Sequence, residues 1–303
     1  MNLAVLVEAK RSLGYTISVC LPARNEASTI GSIVAKVREH LVDSTPSAGG
    51  GLVDEIVVLD DNSTDDTAAV ARSAGASVVA ESDVLPEAGP GSGKGNALWK
   101  SLHACRGDLV CWLDADLRNF EATTVTMLLE PLLADAGTVL VKASYERSFE
   151  GAPTGGGRVT ELVARPLMSL LFPKLADIVQ PLGGEYAARR DALEVLPFVE
   201  GWGVELGLLV DIVDRFGRDA VAQVDLGTRE HRNRPVGELG AQSLAIIATA
   251  LRRADLMHFD APALELLRYD FAGNLDAEPV EIRERPPITT IAAYRALRSD
   301  SSS

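Results

Sequence analysis

The sequence predicts an α/β fold, a mostly parallel sheet flanked by helices and continued by a more helical second half. Short runs rich in β-branched residues alternate with helical patterns through the first 150 residues, as βαβ units require. Polar turns follow several of those runs, at the carboxyl ends of strands where open α/β sheets bind ligands. Beyond Arg158 the apolar spacing lengthens to that of helices. In chain order, "TISVCL" (16–21), "EIVVLD" (55–60), "SVVAE" (77–81) and "DLVCWLD" (108–114) are predicted strands. Between them, 27–41, 64–75 and 95–105 are predicted helices. The second has Ser63 or Thr64 as N-cap, acids in its first turn and Gly75 as its stop. Later helices are expected at 159–171, 204–216 and 236–257, broken by "QPLGGEYAARR" and "VAQVDLGTREHRNR". The last residues, from Glu284 on, hold Pro286-Pro287 and a serine end, and read as a docked arm with a frayed tip.

Composition narrows the function. With 303 residues, 47% of them hydrophobic, the chain can bury a sizeable core. Lys and Arg number 29 against 43 Asp and Glu, a net charge of -14 that repels polyphosphate backbones and excludes nucleic acid as a partner. A local arginine cluster can still override that field for a small anion. Cys20, Cys105 and Cys111 form no C-x-x-C pair and read as core residues in a reducing compartment. The first residues lack a basic leader and no apolar run is long enough to span a bilayer, so a cytoplasmic protein without a membrane span is expected.

The chemistry gathers at the strand ends. In "WLDADL", Asp114 and Asp116 are separated only by Ala115, so in an extended segment both carboxylates share one face and repel unless a cation lies between them. A hard divalent cation takes such carboxylates and fills its other positions with water and phosphate oxygens. In "LDDNSTDD", Asp60 and Asp61 can accept hydrogen bonds from a nucleobase or ribose; "PARNE" offers its backbone, Asn25 and Glu26. "GPGSGKG" is not an ATP-binding P-loop, because Gly95 follows Lys94 where that motif has Ser or Thr; it reads as a mobile loop with Lys94 near a diphosphate. "GGGRVTE" reads as an anion cradle: Gly155 to Gly157 admit an anion to the backbone, Arg158 grips it and Thr160 adds a hydroxyl. In "REHRNR", His231 is a metal ligand or part of a solvated basic face. Glu205, at a helix start after two glycines, is stabilised there by the helix dipole and is placed to act on a sugar or in catalysis.

Together, "PARNE", "LDDNSTDDT", "GSGKGNALW" and "WLDADL" resemble the donor half of nucleotide-sugar glycosyltransferases of the GT-A fold. "GGGRVTELVARPL", "QPLGGEYAARR", "GWGVELGLLVD" and "LGTREHRNRP" narrow the resemblance to the retaining glucosyl-3-phosphoglycerate synthase family, from about Ile17 to Leu251. It implies a Rossmann-like sheet in which residues 1–150 bind the donor UDP-glucose, and 151–303 bind the acceptor 3-phosphoglycerate and carry the C-terminal arm. It also implies Mg2+ (or Mn2+) dependence and a homodimer. By motif, Pro22, Ala23, Arg24, Asn25, Glu26, Asp61 and Lys94 would bind the uridine nucleotide; Asp114, Ala115 and Asp116 would flank the sugar diphosphate. Asp116 and His231 would hold the metal, Gly157, Arg158, Thr160 and Asn233 the acceptor, and Glu205, Asp114 and Lys94 would form the catalytic set. Arg24 stands where the family has Leu, Asn96 where it has Glu, and the 44–51 insertion is longer. The alternatives are a mannosyl-3-phosphoglycerate synthase using GDP-mannose, a polyprenyl-phosphate glycosyltransferase, and a silent nucleotide-sugar sensor.

Overall fold

The computed structural model describes residues 2–44, 50–149, 152–155, 157–229, 235–259, 263–269 and 272–300. It opens with helix α1 (Leu3–Leu13), where Asn2 caps the first turn, Gly14 ends it in the left-handed region, and Leu6 and Val7 are buried. Strands β1 (Ile17–Ala23), β2 (Glu55–Asp60), β3 (Ser77–Ala80) and β4 (Leu109–Trp112) lie where expected and pair in parallel in the order β3-β2-β1-β4. Side chains alternate across them: Cys20 and Trp112 enter one apolar layer, Val19, Leu21 and Cys111 the other. Helices α2 (Ile30–Val37), continued by a π turn at Arg38–Val42, α3 (Thr67–Ala74) and α4 (Gly93–Ala104) connect them.

The cap of α3 differs from expectation. Its N-cap is Asp66, and Ser63 and Thr64 are drawn away to Asn25. Asp65 instead accepts the Thr67 N–H at 3.0 Å. Gly75 does end the helix, at φ 101.

After α5 (Thr123–Ala134) come β5 (Leu140–Phe149), its short partner β6 (Ala152–Gly155), and a π turn at Thr160–Ala164 that runs into α6 (Arg165–Leu171). The stretch expected to break the helical half is β7 (Tyr186–Arg189), antiparallel to both β4 and β5. Next are α7 (Arg190–Leu193), β8 (Phe198–Val199) and α8 (Val204–Phe216), the last with the bounds expected. A second expected break is β9 (Val221–Arg229), parallel to β5. Strands from beyond residue 150 therefore complete the same sheet. The sequence hid them because β7 is alanine-rich and β9 interleaves Gln223 and Asp225 with its apolar residues.

Helix α9 (Leu239–Arg253) is followed by the hairpin β10 (Ala263–Tyr269) and β11 (Leu275–Glu281). Then β12 (Glu284–Arg285) pairs with β8, and α10 (Ala292–Asp300) buries Tyr294. The arm is docked, as expected.

Candidate active site

Parallel register brings the ends of β1, β2 and β4 to one edge of the sheet. At the end of β4, Leu113 donates its N–H to the Cys20 carbonyl, and the chain leaves the sheet with Asp114, Ala115 and Asp116. The Thr29 hydroxyl donates to the Ala115 carbonyl at 2.7 Å, tying this turn to the loop after β1. A cleft of about 540 Å³ opens there. Pro22, Ala23, Arg24, Glu26, Asp61, Lys94, Asp114, Ala115, Asp116, Gly157, Arg158, Thr160 and Glu205 all line it, so residues far apart in sequence meet in one space.

Lys94 is the electrostatic centre of this cleft. Its Nζ lies 2.7 Å from Asp114 Oδ1 and 2.9 Å from Glu205 Oε1. Burial alone would lower the Lys94 pKa, but the Asp114 and Glu205 carboxylates outweigh it and hold the ammonium charged, well above its usual range. Two expectations change with this geometry. Asp114 takes its countercharge from Lys94, so the pair of aspartates is not balanced by a metal alone. The glycine run is not a loop throughout either: Gly93 begins α4, Gly95 abuts the Val199 carbonyl, and Lys94 sits in a helix's first turn.

Asn25 has a different place from the one expected. It lies at φ 58, its N–H donates to Ser63 Oγ at 3.0 Å, and its Oδ1 accepts the Thr64 N–H at 2.8 Å. It clasps the loops after β1 and β2 together and is not among the residues lining the cleft. Beside it, Arg24 reaches to 3.8 Å from Asp61. Burial raises the Asp61 pKa, opposed by a hydrogen bond from Asn62 and by Arg24.

The anion cradle forms one wall. Gly157 takes φ 72, and Arg158 and Thr160 follow at the start of the helical segment. Gly155 ends β6, and Gly156 lies outside the described residues.

Two residues that the sequence reading did not single out bear on the site: Gly184 lines the cleft, and Tyr186 is buried against Trp112 of β4. A Cβ on Gly184 would run into both Asp114 Oδ1 and Lys94 Nζ, so only glycine leaves room for that ion pair. Tyr186 packs edge-on against Trp112 with ring centroids 5.2 Å apart. Burial, reinforced by the Glu205 charge, raises its pKa well above the usual value and keeps the phenol protonated. Both lie in "QPLGGEYAARR", a segment read as a helix break and as part of the family resemblance, with no role assigned to either residue.

Among the described residues, no group of three or more His, Cys, Asp or Glu forms a ready metal centre. His231 and Asn233 lie outside the described residues. Asp116 nevertheless lines the cleft with a carboxylate, the hard oxygen donor that Mg2+ or Mn2+ takes. The donor chemistry fits such a cation.

Residues 18–195 match the family model described as Glycosyl transferase family 2. The glucosyl-3-phosphoglycerate synthase of Mycolicibacterium paratuberculosis is 49% identical over 288 residues, which cover 92% of this chain and 85% of that one. The chain belongs to the glucosyl-3-phosphoglycerate synthase family of glycosyltransferases. Its fold is accordingly that of solved members. The crystal structure of glucosyl-3-phosphoglycerate synthase from Mycobacterium tuberculosis with Mn2+, UDP-glucose and phosphoglyceric acid aligns with a TM-score of 0.84 at 46% identity, covering 96% of this chain and 95% of that one. The same enzyme has been solved with Mn2+, UDP and glucosyl-3-phosphoglycerate, and with Mg2+ and UDP.

Proposed function

We propose that the chain transfers glucose from UDP-glucose to the 2-hydroxyl of 3-phosphoglycerate, with retention at the anomeric carbon, releasing glucosyl-3-phosphoglycerate and UDP. The observation that carries this reading is the single cleft in which the strand-end groups, the Asp114–Asp116 turn and the Gly157–Thr160 cradle meet. Relatives solved with these substrates and product support it, and support UDP-glucose over GDP-mannose. No helix among the described residues is long and apolar enough to cross a membrane, which disfavours the polyprenyl-phosphate alternative.

In this reading the uridine rests against Pro22, Ala23, Arg24, Glu26 and Asp61, in a loop whose shape Asn25 holds. Asp116 and His231 would hold Mg2+ or Mn2+, which would supply positive charge to the departing diphosphate. Asp114 and Glu205 accept hydrogen bonds from the donor glucose, and Lys94 holds both carboxylates in fixed orientation. Arg158, with Gly157, Thr160 and Asn233, grips the acceptor's anionic groups and presents its 2-hydroxyl to the anomeric carbon. Attack comes from the face the diphosphate leaves, and the hydroxyl proton passes to a phosphate oxygen of the donor. The ion pair with Lys94 at 2.9 Å supports this over a covalent route, because it makes the Glu205 carboxylate a weaker nucleophile. The protein works as a homodimer in the cytoplasm.

The test is UDP release from UDP-glucose with Mg2+, with and without 3-phosphoglycerate, in wild type and Arg158→Ala. Acceptor-dependent release that the substitution abolishes is expected. Release unaffected by 3-phosphoglycerate would overturn the acceptor and leave the donor half standing.

A further inference from the structure

The C-terminal arm reaches the cleft from behind. β12 pairs antiparallel with β8, and the Glu200 N–H donates to the Arg283 carbonyl at 2.8 Å, so the arm forms a rung against the segment that leads into Glu205. From β12, Arg285 turns inward with only 6% exposure. Its Nε lies 2.8 Å from both Asn96 Oδ1 and Glu200 Oε1. Its Nη1 donates to the Ala88 carbonyl at 2.8 Å and its Nη2 to the Gly89 carbonyl at 3.1 Å. Its guanidinium lies over Trp99, 5.3 Å from the ring centroid.

These partners lie at two helix starts. Ala88, Gly89 and Asn96 bracket the start of α4, which carries Lys94. Glu200 stands just before the short turn Gly201–Gly203 that opens α8 and carries Glu205. The two starts also touch directly: the Ser92 N–H donates to Glu200 Oε2 at 3.2 Å, and a Cβ on Gly93 would come to 2.9 Å from Gly201 Cα. The Lys94–Glu205 ion pair is thus set by how these two starts abut, and one guanidinium is hydrogen-bonded to both.

We propose that Arg285 is a positioning residue for the active cleft, fixing the mutual placement of the helix starts that deliver Lys94 and Glu205. The inference rests on the reaction proposed above. A rigid planar fork is needed, because its partners lie in different directions; a lysine ammonium keeps the charge but cannot serve them together. The arm is then part of the catalytic apparatus without touching substrate.

The experiment compares Arg285→Lys and Glu200→Gln with Tyr294→Phe, which loosens the same arm where its Tyr294 hydroxyl meets Glu194, away from the cleft. Turnover is measured per folded molecule, and hydrogen exchange is followed over 89–98 and 200–206. In Arg285→Lys and Glu200→Gln, kcat is expected to fall about tenfold to a hundredfold while KM for either substrate moves by less than about threefold. Both segments should exchange faster together, and Tyr294→Phe should keep wild-type kcat. A folded Arg285→Lys protein with kcat within about twofold of wild type, or faster exchange confined to the arm, would overturn the proposal. Should Arg285→Lys not fold, Glu200→Gln decides by the same criteria. If wild type shows no acceptor-stimulated release, the reaction is wrong, and the exchange pattern alone still decides the clamp.

Discussion

Lys94 carries one positive charge between two carboxylates, so Lys94, Asp114 and Glu205 together keep a net negative charge in the cleft. In the reaction proposed above, that excess would give the donor sugar's hydroxyls acceptors that are already oriented, and orientation held before binding is where such a site contributes most to rate. Gly184 is what lets the pair close. Neither Asp114 Oδ1 nor Lys94 Nζ is the loose end of a flexible chain, since each holds the other. Gly184→Ala therefore cannot be absorbed by a simple side-chain swing. It is expected to lower kcat by about tenfold to a hundredfold through displacement of Asp114 or Lys94. Overpacking adds a stability loss of about 1–3 kcal/mol. Steady-state kinetics beside a urea melt separate the two effects, and wild-type kcat in Gly184→Ala would show that the ion pair's position does not matter.

Helix starts place the charged groups, and glycine contacts set the helix starts. Gly95 packs against the Val199 carbonyl, a backbone atom that cannot rotate away, so Gly95→Ala must push α4 off β8. A loss of about 1–3 kcal/mol is expected, against almost none for Gly237→Ala, where an added Cβ meets nothing within 4 Å. Equal urea midpoints for the two variants would refute this account. The contrast also shows what a sequence carries about elements. β1, β2, β3 and β4 were legible because their apolar runs end in polar turns, and α8 because its apolar stretch, buried almost continuously from Val204 to Val213, is too long for a strand. Arg158, Thr160, Asp116 and Glu205, picked out by residue type and neighbours, do meet in the cleft. Gly93 and Gly95 were misread as loop residues, because a glycine needed for close approach looks identical in sequence to one in an open loop. Tyr186 and Gly184 lie in "QPLGGEYAARR", which carried the family resemblance but no role for either residue: that emerges only once β7 lies beside β4.

At the scale of the whole molecule, the arm closes a chain that began at α1, and its last helix rests on α4, the helix that starts at the cleft. His103 marks that contact. It is half-buried, 6.2 Å from the Tyr294 ring, with Glu87 and Arg298 as its charged neighbours. Burial lowers its pKa below 6.5; Glu87 opposes that shift and Arg298 adds to it. A depressed folded-state pKa means that the unfolded chain binds the proton more readily. The associated stability is therefore fully present above pH 6.5 and is lost as pH falls through the folded value. Asp65, Asp135 and Asp177 are held below 3.8, the first by Thr67, the second by the Gly137 N–H and the third by Arg218, so they act only at more acidic pH. Asp211 acts in the same window with opposite sign: burial, only partly offset by Arg253, raises it to about 6, so acidification there favours the folded state. The decisive quantity is thus the difference between wild type and His103→Gln. From about pH 7.5 to about pH 5.5, wild type is expected to lose more stability than the variant, read as the change in urea midpoint, with faster exchange in α10. Parallel midpoint curves for the two proteins would mean that the arm does not sense the charge on His103.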